Sequence, residues 1–125
     1  MIRPHILFAD DDCDIRELVR LQLNAAGFRV STAGNGADVL RLVTAERFDV
    51  LILDYWMADV TGIDLCRQIR TFDQSTPILI CSGALTEPDK NAATIAGAQG
   101  YLEKPFKARD LIHALRLILA ATIDM

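Results

Sequence analysis

Three short runs constrain the fold more than anything else in the chain: ILFA at 6–9, VLIL at 50–53 and ILIC at 78–81 are apolar at every position. Successive side chains of a strand point to opposite faces, so a strand with one wet face alternates. A strand without alternation is covered on both faces, as in a parallel sheet sandwiched between helices. FRVST at 28–32 does alternate and reads as an edge strand, and the very short YLE at 101–103 reads as the other edge. Helical spacing fills the intervals. Ile15, Leu18, Val19, Leu23 and Ala26 share a face opposite Arg16, Glu17, Arg20 and Asn24, and Gly27 stands where a helix ends. Further helices are expected from about 37 to 45 (Val39, Leu40 and Val43 inward), 63 to 70 (Leu65, Cys66 and Ile69 inward), 89 to 96 (Ala93, Ile95 and Ala96 inward) and 108 to 121, the last apolar around much of its circumference. Strand then helix, five times over, requires right-handed crossovers and helices on both faces of the sheet. The expectation is one α/β domain over residues 1–125, doubly wound, with five parallel strands in the order 2-1-3-4-5.

In such a sheet ligands bind beyond the carboxyl ends of the strands, where the strand order reverses between strands 1 and 3. The residues at those ends are chemically biased. Strand 1 runs into Asp10, Asp11 and Asp12; strand 3 ends at Asp54; strand 4 ends at Ser82; strand 5 is followed by Lys104-Pro105. Each has an ordinary explanation taken singly: Asp12 as a helix cap, Asp54 as a turn residue, Ser82 before a glycine in a loop, Lys104 as a solvated side chain. Jointly, four strand ends deliver carboxylates, a hydroxyl and an ammonium to one place. Close carboxylates raise one another's pKa, and a hard divalent cation such as magnesium removes that conflict.

Composition removes other classes. Lysine plus arginine is 13 against 17 aspartate plus glutamate, a net charge of −4 with no basic stripe, so direct nucleic-acid binding is not expected. Cys13, Cys66 and Cys81 are odd in number and form no CxxC pair, which suits reduced thiols and a cytoplasmic protein. Met1 leads into only a short apolar stretch, and no apolar run reaches membrane-spanning length, so neither a signal peptide nor a membrane anchor is expected. His5 and His113 lie away from the strand ends, and a structural role is expected for both.

The segments ILFADDD, DVLILDYWMADVTGIDL, PILICSG and GAQGYLEKPF together resemble the receiver domain of two-component response regulators, of the chemotaxis-regulator kind, over essentially the whole chain. The resemblance implies a flavodoxin-like (βα)5 fold and a phosphoacceptor signalling domain rather than an enzyme. It implies Asp54 as the phosphoacceptor, and magnesium held by Asp11, Asp54 and the backbone carbonyl of Trp56, with Asp10 acting through metal-bound water. Ser82 and Lys104 would contact the phosphoryl oxygens, and Ser82 with Tyr101 would form the switch. The donor would be a phosphohistidine on a sensor histidine kinase or a histidine phosphotransfer protein. The output would pass through the surface of helix 4, strand 5 and helix 5, to a protein effector, a homodimer or an output domain outside this chain. The bond before Pro105 would be cis.

The chain departs from the family pattern where Ala58 replaces the usual proline, Thr61 the usual aspartate before Gly62, and Gly83 a common alanine. These put in doubt the geometry of the loop after Asp54, not the reacting groups. Rival readings fit less well. A haloacid-dehalogenase-type phosphatase needs a second aspartate two residues on, where Trp56 stands; a flavin carrier would not place DDDCD against a phosphate. A receiver-like interaction module working without phosphorylation would not require the full set Asp10, Asp11, Asp54, Ser82 and Lys104.

Overall fold

The structure is a computed structural model that describes residues 3–123. The readings that concern Met1 and the outermost ends of the domain lie outside the described residues. Five strands, β1 (His5–Ala9), β2 (Arg29–Ala33), β3 (Val50–Asp54), β4 (Ile78–Ser82) and β5 (Gly100–Glu103), alternate with five helices: α1 (Cys13–Ala25), α2 (Gly36–Ala45), α3 (Gly62–Arg70), α4 (Glu87–Ala96) and α5 (Ala108–Ile123). The sheet is parallel throughout, in the order β2-β1-β3-β4-β5.

The unbroken apolar runs are explained by two cores that share one sheet. Leu7, Ala9, Leu51, Leu53, Ile78 and Ile80 face α2, α3 and α4, against Val39, Leu65, Cys66, Ile69, Ala93 and Ala96. The alternate residues Ile6, Phe8, Val50, Ile52, Leu79 and Cys81 face α1 and α5, against Val19, Leu23, Leu111 and Leu115. Both parities are therefore buried in β1, β3 and β4. The edges are not: β2 is mostly half-exposed and β5 alternates.

Two inward assignments are corrected. Leu18 is 54% exposed and Ile95 83% exposed. The face α1 turns to the sheet is narrower than its apolar stripe, so Val19 and Leu23 enter the core. Leu18 is left lining an open apolar depression with Ile15, Pro105 and Phe106. On α4 the buried pair is Ala93 and Ala96, three residues apart on one face, which turns Ile95 outward. This helix is held at its ends by polar contacts rather than by apolar area. Thr86 and Asp89 close a capping box at the start. At the finish Arg70 Nε and Nη2 donate to the Gly97 carbonyl at 3.1 and 2.9 Å.

His5 is buried at the opposite end of the sheet from Asp54. Its Nδ1 donates to the Arg47 carbonyl at 3.1 Å and its Nε2 pairs with Ser31 Oγ at 2.9 Å, so it bridges strand and loop. His113 is exposed on α5.

Candidate functional site

Where β1 ends, the chain must turn sharply and start α1 within three residues. Asp12 makes this possible as the N-cap, its side chain accepting from the amides of Asp14 and Ile15 at 2.9 and 3.3 Å. Asp10 turns inward and is buried; Asp11 stays exposed. Asp10 Oδ1 accepts from the Asp12 amide at 3.0 Å, and its Oδ2 accepts from Lys104 Nζ at 2.6 Å. The Asp10 backbone is pinned as well: its amide donates to the Ala33 carbonyl, and its carbonyl accepts from Arg16 Nη1 at 2.8 Å.

Asp54 closes β3 beside the strand 1 carboxylates. Lys104 Nζ lies 3.1 Å from its Oδ1, so one ammonium spans the ends of β1 and β3. The lysine is carried there by the backbone, its amide donating to the Ser82 carbonyl at 2.8 Å just past β5. The Lys104-Pro105 bond is cis. Ser82 is buried at the end of β4. Trp56 is exposed two residues after Asp54, and Tyr101 is exposed on β5 with Lys90 Nζ 5.2 Å from its ring centroid.

The electrostatics follow from this packing. Burial pushes the Asp54 carboxyl above the usual carboxylate range, and Asp10 and Asp11 push the same way against the pull of Lys104. Burial alone would lower the Lys104 ammonium, but its hydrogen bond to Asp10 and the charge of Asp54 outweigh that and hold it above an ordinary lysine. Cys81 sits opposite Asp54 in the β3–β4 register, and burial pushes its thiol up to about 12.

The donor set suits a hard cation. One carboxylate oxygen from each of Asp10, Asp11 and Asp54 lies within 4.8 Å of the others. Both Asp10 oxygens already have partners in Asp12 and Lys104, so Asp11 and Asp54 are the carboxylates better placed for direct ligation.

Three contributors to this region were not singled out in the sequence. Gly62 lies so close to the end of β3 that a Cβ would fall 2.5 Å from the Asp54 carbonyl oxygen. Arg16 reaches from α1 to the Asp10 carbonyl and lies against Gly34. Asp59, in the loop after Asp54, accepts from the Gly36 and Ala37 amides at 2.9 and 3.1 Å. The Gly36 hydrogen bond, helped by that from Ala37, holds its carboxyl below the usual range.

The family model for the response regulator receiver domain matches residues 6–116. The chain belongs to this family. Response regulator MprA of Mycobacterium leprae is 36% identical to this receiver domain over 117 residues, 94% of the chain and 51% of that protein. The receiver domain thus spans about half the length of the curated relatives it matches. Among solved structures, the chemotaxis response regulator CheY4 of Vibrio cholerae is 32% identical with a TM-score of 0.90, covering 94% of this chain and 100% of that one. The receiver domain of Francisella response regulator 1452 is 28% identical with a TM-score of 0.90, covering 96% and 99%. The likeness is that of a response-regulator receiver, consistent with two-component signalling. Among the described residues, no helix is long and apolar enough to cross a membrane.

Proposed function

We propose that this receiver domain takes a phosphoryl group from a phosphohistidine onto Asp54, in a magnesium-dependent step, and signals through the surface formed by α4, β5 and α5. The observation that carries the reading is the ammonium of Lys104 bridging Asp10 at 2.6 Å and Asp54 at 3.1 Å, with Asp11 alongside. A carboxylate oxygen of Asp54 attacks phosphorus as the P–N bond of the donor breaks, and the imidazole leaves with the electron pair. Phosphoryl transfer needs positioning and charge neutralisation more than covalent help. Lys104 supplies both: it orients the acceptor carboxylate through one oxygen and offsets charge on the incoming group. Asp11, Asp54 and the Trp56 carbonyl would hold magnesium, with Asp10 acting through metal-bound water. When bound, the ion adds positive charge beside the transferring group.

Ser82 is buried at the end of β4, the residue after Cys81, which pairs with Asp54 in the strand register, and is assigned to the phosphoryl oxygens. Tyr101 stands outward, the side from which an inward swing behind Ser82 would remodel the output surface. Each of these three elements exposes an apolar side chain, Ile95 on α4, Tyr101 on β5 and Leu117 on α5, which fits a protein partner or a second copy better than nucleic acid. The donor partner is a sensor histidine kinase or a histidine phosphotransfer protein, in the cytoplasm, and the output lies with an effector or a domain outside this chain.

The test is intact mass after incubation with acetyl phosphate and MgCl2. The wild-type chain gains one phosphoryl group; Asp54→Asn folds and gains none; chelation of magnesium blocks the gain. A variant Asp54→Asn that is phosphorylated at the wild-type rate places the acceptor elsewhere. A wild-type chain that is never modified favours an interaction module working without phosphorylation.

A further inference from the structure

The loop between β3 and α3 carries the Trp56 carbonyl, and Ala58 leaves its tip without a proline to stiffen it. Its base is closed well enough. Trp56 and Thr61 form an antiparallel bridge, and the Gly62 amide donates to the Tyr55 carbonyl at 2.8 Å. The tip is held from outside. Asp59 Oδ1 accepts from the Gly36 amide at 2.9 Å and Oδ2 from the Ala37 amide at 3.1 Å.

These are not spare contacts of a helix start that lacks a cap. Asn35 caps α2 in the usual way, its side chain accepting from the Asp38 amide at 2.8 Å. The orphan amides of the first turn are therefore divided: Asp38 to the local cap, Gly36 and Ala37 to a carboxylate from a different loop. Side-chain packing adds a second attachment. A Cβ on Gly36 would lie 2.3 Å from Val60 Cγ1, so Val60 rests directly on the α2 backbone.

The same turn also anchors the other half of the acidic site. The Asp10 amide donates to the Ala33 carbonyl, and Arg16 lies against Gly34 while donating to the Asp10 carbonyl. Residues 33–37 thus serve as a common reference for both sides of the site, Asp10 and Asp11 on one hand and the Trp56 loop on the other.

We propose that Asp59 is a positioning residue: by clamping the loop to the first turn of α2 it fixes the Trp56 carbonyl relative to Asp10 and Asp11, and so sets magnesium affinity. This rests on the reading of the acidic site as a magnesium site. The clamp does in this chain what a stiffer loop would do without it.

The experiment is titration with MgCl2 alone, followed calorimetrically and by the fluorescence of Trp56, the single tryptophan. Loss of a group that orients a metal ligand typically weakens affinity about 10–100-fold. Asp59→Ala is expected near the lower end, about tenfold, with Asp59→Asn smaller because one acceptor oxygen remains. At saturating magnesium the maximal rate of phosphorylation by acetyl phosphate stays within a few-fold of wild type, so the defect appears in the magnesium requirement. Gly36→Ala is the independent variant. It leaves Asp59 intact and improves helix propensity, yet its Cβ displaces Val60 and should weaken magnesium binding as well. Amide exchange at 56–60 should quicken in all three variants. Asp59→Ala and Gly36→Ala that bind magnesium as wild type does, whatever their melting temperatures, overturn the proposal. A wild-type chain that binds no magnesium overturns the site reading itself, and this inference with it.

Discussion

Replacing Lys104 by methionine tests the arrangement on which the site depends. Methionine keeps most of the stem and removes the charge. The ammonium lies 2.6 Å from Asp10 Oδ2 and 3.1 Å from Asp54 Oδ1. At an effective dielectric of about 20, those attractions are gross terms of about 6 and about 5 kcal/mol, largely offset by the cost of taking three charges out of water. Removing one partner of a buried pair costs about 3–5 kcal/mol, because the remaining charge keeps its desolvation and loses its compensation. The Lys104 side chain is 24% exposed, so water relieves part of that, and about 2 kcal/mol is the expected loss. For a chain of this length that is a fall of about 8 °C in Tm. The pH dependence has a definite sign. Asp54 already has a raised pKa, and losing Lys104 raises it further. The deficit is therefore present above the folded-state pKa of Asp54 and shrinks as pH falls through it, since a neutral carboxyl needs no partner. Magnesium should stabilise the variant more than the wild type, because the ion no longer competes with an ammonium for the same oxygens. The assay is thermal unfolding by circular dichroism at pH 8 and pH 5, with chelator and with MgCl2. A variant that melts with the wild type in chelator at pH 8, or that gains no more from magnesium, would refute the reasoning.

Asp11→Ala should lose magnesium-dependent quenching of Trp56 together with phosphorylation; quenching that persists unchanged removes Asp11 from the ligand set. Trp56 is two residues past Asp54 and exposed; if its bulk shields the in-line approach of water to a phosphoryl group on Asp54, Trp56→Asn should shorten the phosphorylated lifetime measured by mass. An equal or longer lifetime rejects the shielding. Sedimentation with and without beryllofluoride tests whether α4, β5 and α5, which expose Ile95, Tyr101 and Leu117, pair with a second copy; a monomer under both conditions at high concentration leaves a separate effector as the partner.

The architecture was legible because burial of both parities leaves an unmistakable mark in ILFA, VLIL and ILIC, and the edge positions of β2 and β5 follow from its absence. The residues Asp10, Asp11, Asp54, Ser82 and Lys104 could be found because strand ends are places, and the topology brings those places together. The sequence could not show which edge of an apolar stripe is covered, since that depends on how a helix rolls against the sheet. Leu18 and Ile95 share the apolar spacing of their helices yet face outward for that reason. Asp59 and Arg16 were missed because their partners are backbone amides and a carbonyl of distant segments, and a main-chain partner leaves no trace in residue type. Gly62 could be quoted as part of a motif, but the 2.5 Å approach to the Asp54 carbonyl that demands glycine is a property of the folded loop.

The buried thiol of Cys81, beside Asp54 in the sheet register, has a practical side. Pushed up to about 12 and shut off from solvent, it stays protonated and out of reach of alkylating reagents, and Cys66 is buried with its thiol likewise raised. Cys13 is exposed at the first residue of α1, two positions after Asp11. A maleimide dye at neutral pH will therefore mark one thiol of three. The unaltered chain offers its own attachment point for an optical reporter two residues along the chain from Asp11, with no cysteine to engineer in or out.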